Sequence, residues 1–138
     1  MKDLGIPVVD ASKDSSGHVI PSLNVEPLLH EVRHALERLQ QTGEPTTIDL
    51  RAIPLAPGED EQIRETLGTG EVEIRIDALG PTLIQETAYP GVWWLEHRNA
   101  DDVLTGRYIE IAAVPALVPA SSEDMADGLQ HLTENLSD

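Results

Sequence analysis

Between Glu71 and Val114 the chain alternates apolar and polar residues in short runs, each closed by a turn signal, and that rhythm admits few folds. Val72, Ile74 and Ile76 interleave with Glu73, Arg75 and Asp77, then Gly80-Pro81 turns the chain into 82–89. Pro90-Gly91 turns it again into 92–98, and a polar loop over 99–106 leads to a last run over 107–114. Connections this short leave no room for a crossover helix, so neighbouring runs pair antiparallel. The pattern predicts a meander of four strands. An earlier run, 46–53, sets Ile48, Leu50 and Ala52 against Asp49 and Arg51 before Pro54 and Pro57 end it, which adds a fifth strand.

Helical spacing brackets this core. From Asn24, with Pro27 in the first turn, apolar residues recur at Leu28, Leu29, Val32, Leu36 and Leu39, and Gly43 follows as a stop. Residues 58–67 begin acidic, which suits a helix dipole, carry Ile63 and Leu67, and stop at Gly68. After Pro115 and Pro119, Ser122 can cap a helix over 122–136 whose apolar residues, Met125, Leu129, Leu132 and Leu136, form a narrow stripe. Such a stripe docks on its own domain or is exchanged with a second copy, which would make a homodimer. The expected fold is α+β, a mostly antiparallel sheet of about five strands with two or three helices packed on one face. Residues 1–23 read as a loosely ordered arm before a single domain over 24–138.

With no Phe, two Trp and two Tyr in 138 residues, the core must be aliphatic. The lack of cysteine removes disulfides, thiolate metal sites and cysteine nucleophiles. A formal net charge of −16 repels phosphates and anionic headgroups, so nucleic-acid and membrane partners are not expected. No run approaches the roughly 18 apolar residues of a membrane span, and the N-terminus lacks a signal-peptide core, which makes the cytoplasm the expected location.

The sharpest enzyme-like pattern is His30-Glu31-Val32-Arg33-His34, in which two imidazoles stand one turn apart beside a carboxylate, as in zinc hydrolases. Yet His30 and His34 fall at about 200° and 240° around a helix whose apolar face spans about 0–100°. They point to solvent, and His18, His97 and His131 supply no third ligand at recognisable spacing. A metal site is therefore not expected, and a small metal-dependent hydrolase built on these residues is the rival reading. Gly68-Thr69-Gly70 runs from helix to strand, the reverse of a phosphate-cradling loop. Trp93 and Trp94, being adjacent in a strand, face opposite sides of the sheet. If helices cover one side, the other indole can anchor a partner, while burial of both is the plain alternative.

Two blocks carry a family likeness: Leu67-Gly68-Thr69-Gly70-Glu71-Val72, and Ile84-Gln85-Glu86-Thr87-Ala88-Tyr89-Pro90-Gly91-Val92-Trp93. Together with Thr47-Ile48-Asp49-Leu50-Arg51 upstream and Tyr108-Ile109-Glu110-Ile111 downstream, they resemble the C-terminal region of HupH-type hydrogenase expression proteins over roughly 25–118. The resemblance implies a non-enzymatic accessory protein for nickel–iron hydrogenase, without cofactors. Its partners would be the iron–sulfur small-subunit precursor, which carries a basic twin-arginine export signal, or other maturation proteins. The resemblance transfers no catalytic residue. Gln85, Glu86, Trp93 and Trp94 are the candidate protein-binding residues, with Gly68, Gly70, Gly80, Pro81, Pro90 and Gly91 as structural turns. A purely structural oligomerisation module is the third reading.

Overall fold

A computed structural model describes residues 24–137, and the expected arm of 1–23 lies outside them. Among the described residues, α1 (Val25–Thr42) leads to β1 (Thr46–Asp49), a 3-10 turn at Leu50–Ala52 and α2 (Glu59–Leu67). Then come β2 (Glu73–Asp77), β3 (Pro81–Glu86), β4 (Val92–Arg98), β5 (Leu104–Ile111) and α3 (Ser122–Leu136). The strands form one antiparallel sheet in the order β1-β5-β4-β3-β2. The fold is α+β, and the meander read from the alternation is its body.

The turns follow from their residues. In Tyr89-Pro90-Gly91-Val92 the proline presets one dihedral and Gly91 takes φ 94°, which lets Val92 N–H donate to the Tyr89 carbonyl at 2.9 Å. Leu79, at the tip of the β2–β3 hairpin, is wholly exposed and sits at φ 58°.

Strand and helix ends shift by a few residues from the sequence reading, and three of the differences have a visible cause. The strand expected to reach Ile53 ends at Asp49, because the Asp49 carboxylate accepts from Arg51 N–H at 3.0 Å and tightens the chain into the 3-10 turn. The last strand begins at Leu104 rather than at residue 107. The Asn99 side chain gathers the loop there by accepting from Asp101 N–H and Val103 N–H. Ser121 rather than Ser122 caps α3, accepting from Asp124 N–H at 3.0 Å.

Helices α1 and α2 cover one face of the sheet. Leu28, Leu29, Val32 and Ala35 of α1 and Ile63 and Leu67 of α2 pack on Ile48, Val92, Trp94, Ile109 and Ile111. A second, smaller cluster lies on the opposite face, where Ile74, Ile84, Leu95 and Tyr108 form one row across four strands, with Trp93 beside them. The chain after β5 turns back towards this face: Ala112 O accepts from the Trp93 indole, and Ala116 N–H donates to Glu110.

Two helices pack on that face and α3 does not join them: none of its residues is buried, so its stripe is not docked on the described part of its own domain. Its stripe has the right period, but the turn and extended chain over 112–121 carry the helix off the sheet. Asn24 likewise does not close its own helix with its side chain; it reaches across to the Pro54 carbonyl and to Glu59, a buried carboxylate that also accepts from Ala56 N–H. Glu59 thus ties the starts of α1 and α2 together.

Candidate functional site

The four candidate binding residues sit on β3 and β4, and register brings them together in pairs, Gln85 with Trp94 and Glu86 with Trp93. Their side chains are committed to partners within the molecule, Glu86 while half-buried and the other three buried. Gln85 is buried, and its amide donates to the carbonyls of Gly70, Val72 and Glu86. Glu86 Oε1 accepts from Glu71 N–H at 3.1 Å and Val72 N–H at 3.3 Å. Together they hold the segment 70–72 as a continuation of β2, and a Cβ on Gly70 would fall on the Thr87 carbonyl and 2.7 Å from Glu86 Oε1. The glycine is required because the backbone passes too close for any side chain.

The two indoles do lie on opposite faces, but neither is exposed: Trp93 shows 6% of its surface and Trp94 2%. Of the two readings open for the indoles, one bare ring or burial of both, the structure has the second, because the segment after β5 and the aliphatic row enclose Trp93. Trp94 lies in the helix-covered core, with the Arg64 and Arg107 guanidinium carbons 5.0 Å and 5.9 Å from its ring centroid.

Around that indole is a charged cluster that sequence reasoning missed. Glu96 Oε2 accepts from Trp94 Nε1 at 3.0 Å and from Arg107 Nε at 3.1 Å, with Arg64 at 3.8 Å. Arg98 stands 3.8 Å from the other carboxylate oxygen, and Arg107 also bridges to Asp60 on α2 at 2.6 Å. Burial alone would raise the Glu96 carboxyl, but the Trp94 hydrogen bond and the Arg107 and Arg64 charges outweigh it and hold the group below its ordinary 4.5. A carboxyl held down in this way is a poor proton donor near neutrality. Two signals for the cluster were available: Trp94 and Glu96 share a strand face by period two, and Glu96 is directly opposite Arg107 once β4 and β5 are registered.

Beside the cluster lies an open cavity of about 380 Å3, walled by Leu50, Ile53, Leu55 and Pro57 with Arg51, Arg107 and Asp60 at its polar side. Elsewhere, His30 lies 3.9 Å from Glu26, and exposed His34 lies 3.1 Å from Arg33. Among the described residues, no three His, Asp or Glu side chains converge as a metal site. No helix there is long and apolar enough to cross a membrane.

Residues 22–138 match the family described as HupH hydrogenase expression protein, C-terminal conserved region. The hydrogenase expression/formation protein HoxQ of Azotobacter vinelandii is 30% identical over 114 residues, 81% of this chain and 40% of the relative. The hydrogenase-1 operon protein HyaF of Escherichia coli is 29% identical, over 81% of this chain and 39% of its own. This chain thus spans about 40% of the length of the curated relatives it matches. Among solved structures, the hydrogenase expression protein HupH from Thiobacillus denitrificans superposes with a TM-score of 0.80 at 45% identity, covering 83% of this chain and 96% of that one.

Proposed function

The chain belongs to the family of HupH hydrogenase expression proteins, in whose C-terminal conserved region residues 22–138 fall, and from that premise we propose that it is a non-catalytic accessory protein of nickel–iron hydrogenase maturation. It acts in the cytoplasm by binding a hydrogenase subunit precursor, the iron–sulfur small subunit first among them, as chaperone or scaffold. The observation that carries the reading is the family match along nearly the whole described chain, with relatives named for hydrogenase expression and formation.

The geometry is consistent with a binding role. Gln85 and Glu86 are engaged in holding the sheet together, and Glu96 is stabilised as an anion. Gln85, Glu86, Trp93 and Trp94 serve client binding indirectly, by fixing the 70–72 segment and the two sheet faces. The charge of −16 steers a basic client segment such as a twin-arginine export signal, an attraction screened within about 10 Å at 0.1 M salt.

The test mixes the purified chain with small-subunit and large-subunit precursors produced separately. A complex with the small-subunit precursor, associating more slowly as salt rises, is the expected result. Binding to neither precursor would sink the proposal.

A further inference from the structure

Helix α3 is a folded element without a covering surface among the described residues. Met125, Leu129, Leu132 and Leu136 remain 57%, 66%, 57% and 76% exposed, although helices of about 15 residues are marginal in water unless an apolar face is covered. Gly128 in its middle weakens it further.

The spacing of these four residues says what kind of surface would cover them. They recur at intervals of four, three and four, the a/d rhythm of a two-helix seam rather than the broader face that packs on a sheet. In that register the positions flanking the seam are Ala126, Gly128, Thr133 and Asn135, all uncharged. Of the four acidic residues of the helix, Glu123, Asp127 and Glu134 fall on its far side and Asp124 stands one position outside the flank. A partner selected by charge would be read at the flanking positions, and here they hold nothing to read. Like-charge repulsion between two such helices is also kept away from their contact line.

We propose that α3 is a self-association element through which two copies of this chain pair along the Met125, Leu129, Leu132 and Leu136 seam. The small flanking residues let the two backbones approach closely. Four side chains from each copy, at roughly 100 Å2 apiece, amount to about 800 Å2, short of the ~1,200 Å2 typical of a specific interface. Val114, Leu117 and Val118, exposed in the segment leading into α3, supply the remainder when they join the contact. The pairing is accordingly weak and concentration-dependent. The net charge of −16 on each copy opposes it at long range, so salt strengthens it.

Sedimentation equilibrium of the full chain, without any hydrogenase protein, tests this independently of client binding. The apparent mass is expected to climb from 15.0 kDa towards twice that value with concentration, and at lower concentration as salt is added. Leu129→Glu combined with Leu132→Glu should weaken pairing by roughly 100-fold or more while leaving the near-ultraviolet signal of the buried indoles intact. A chain that stays at 15.0 kDa throughout overturns the proposal, including the case in which α3 is protected from exchange by its own molecule. A dimer indifferent to the double substitution, or one that dissociates as salt rises, overturns it too.

Discussion

Glu96 is only 14% exposed yet remains an anion, because the Trp94 indole donates to it and three arginines face it. Removing its charge while keeping its shape should expose how much that arrangement contributes. Glu96→Gln is expected to cost about 1–3 kcal/mol at neutral pH, the usual range for a buried charge-assisted hydrogen bond. The pH dependence follows from the direction of the shift. A carboxyl whose folded value lies below its ordinary 4.5 contributes stability above that value and loses it as pH falls through the folded one. Urea midpoints of wild type and variant should therefore differ at neutral pH and converge in acid. A gap that persists unchanged in acid would mean that the amide's different hydrogen bonding, not the lost charge, is the source. The sequence made Glu96 one of many carboxylates, since alternation identifies a strand face but not the residue opposite, and only register places Arg107 there.

Strand β2 depends on its neighbour more than on itself. It is an edge strand of five residues, and Gln85 and Glu86 on β3 extend its pairing back to residue 70. Gly70→Ala sets a methyl group against the Thr87 carbonyl and Glu86, and backbone in that position cannot yield as a long side chain would. A loss of about 1–3 kcal/mol is expected, concentrated as faster amide exchange in 71–77 and leaving α1 unaffected. Uniform loss across the domain would instead mean that β2 belongs to the main cooperative unit. Element type was legible in the sequence wherever period and turn chemistry agreed, as at Pro90-Gly91. It was not legible where a short side chain rewrote the backbone locally, as Asp49 and Asn99 do. Nor could periodicity reveal that α3 lies off the sheet, because a stripe shows only that a face is apolar and not what covers it.

Across the whole molecule the basic residues are distributed unevenly: Arg107 is the last of them, and the 31 residues after it contain neither Lys nor Arg. The Glu96 cluster draws Arg64, Arg98 and Arg107 together, whereas the C-terminal segment is purely acidic. Stability rests on the two apolar clusters and the Glu59 and Glu96 networks, so exhaustive chelation should leave the melting temperature unchanged. A stoichiometric zinc that survives dialysis and is lost in His34→Ala would overturn this and revive the hydrolase reading. The placement of the indoles has a practical consequence for spectroscopy. The chain contains two tryptophans, and each is enclosed in a different layer. Replacing either one with Phe leaves a single fluorophore that reports on one side of the sheet, Trp94 beneath its guanidinium groups and Trp93 among the aliphatic residues opposite. The protein thus carries its own pair of optical probes for asking whether the two layers come apart together or in sequence.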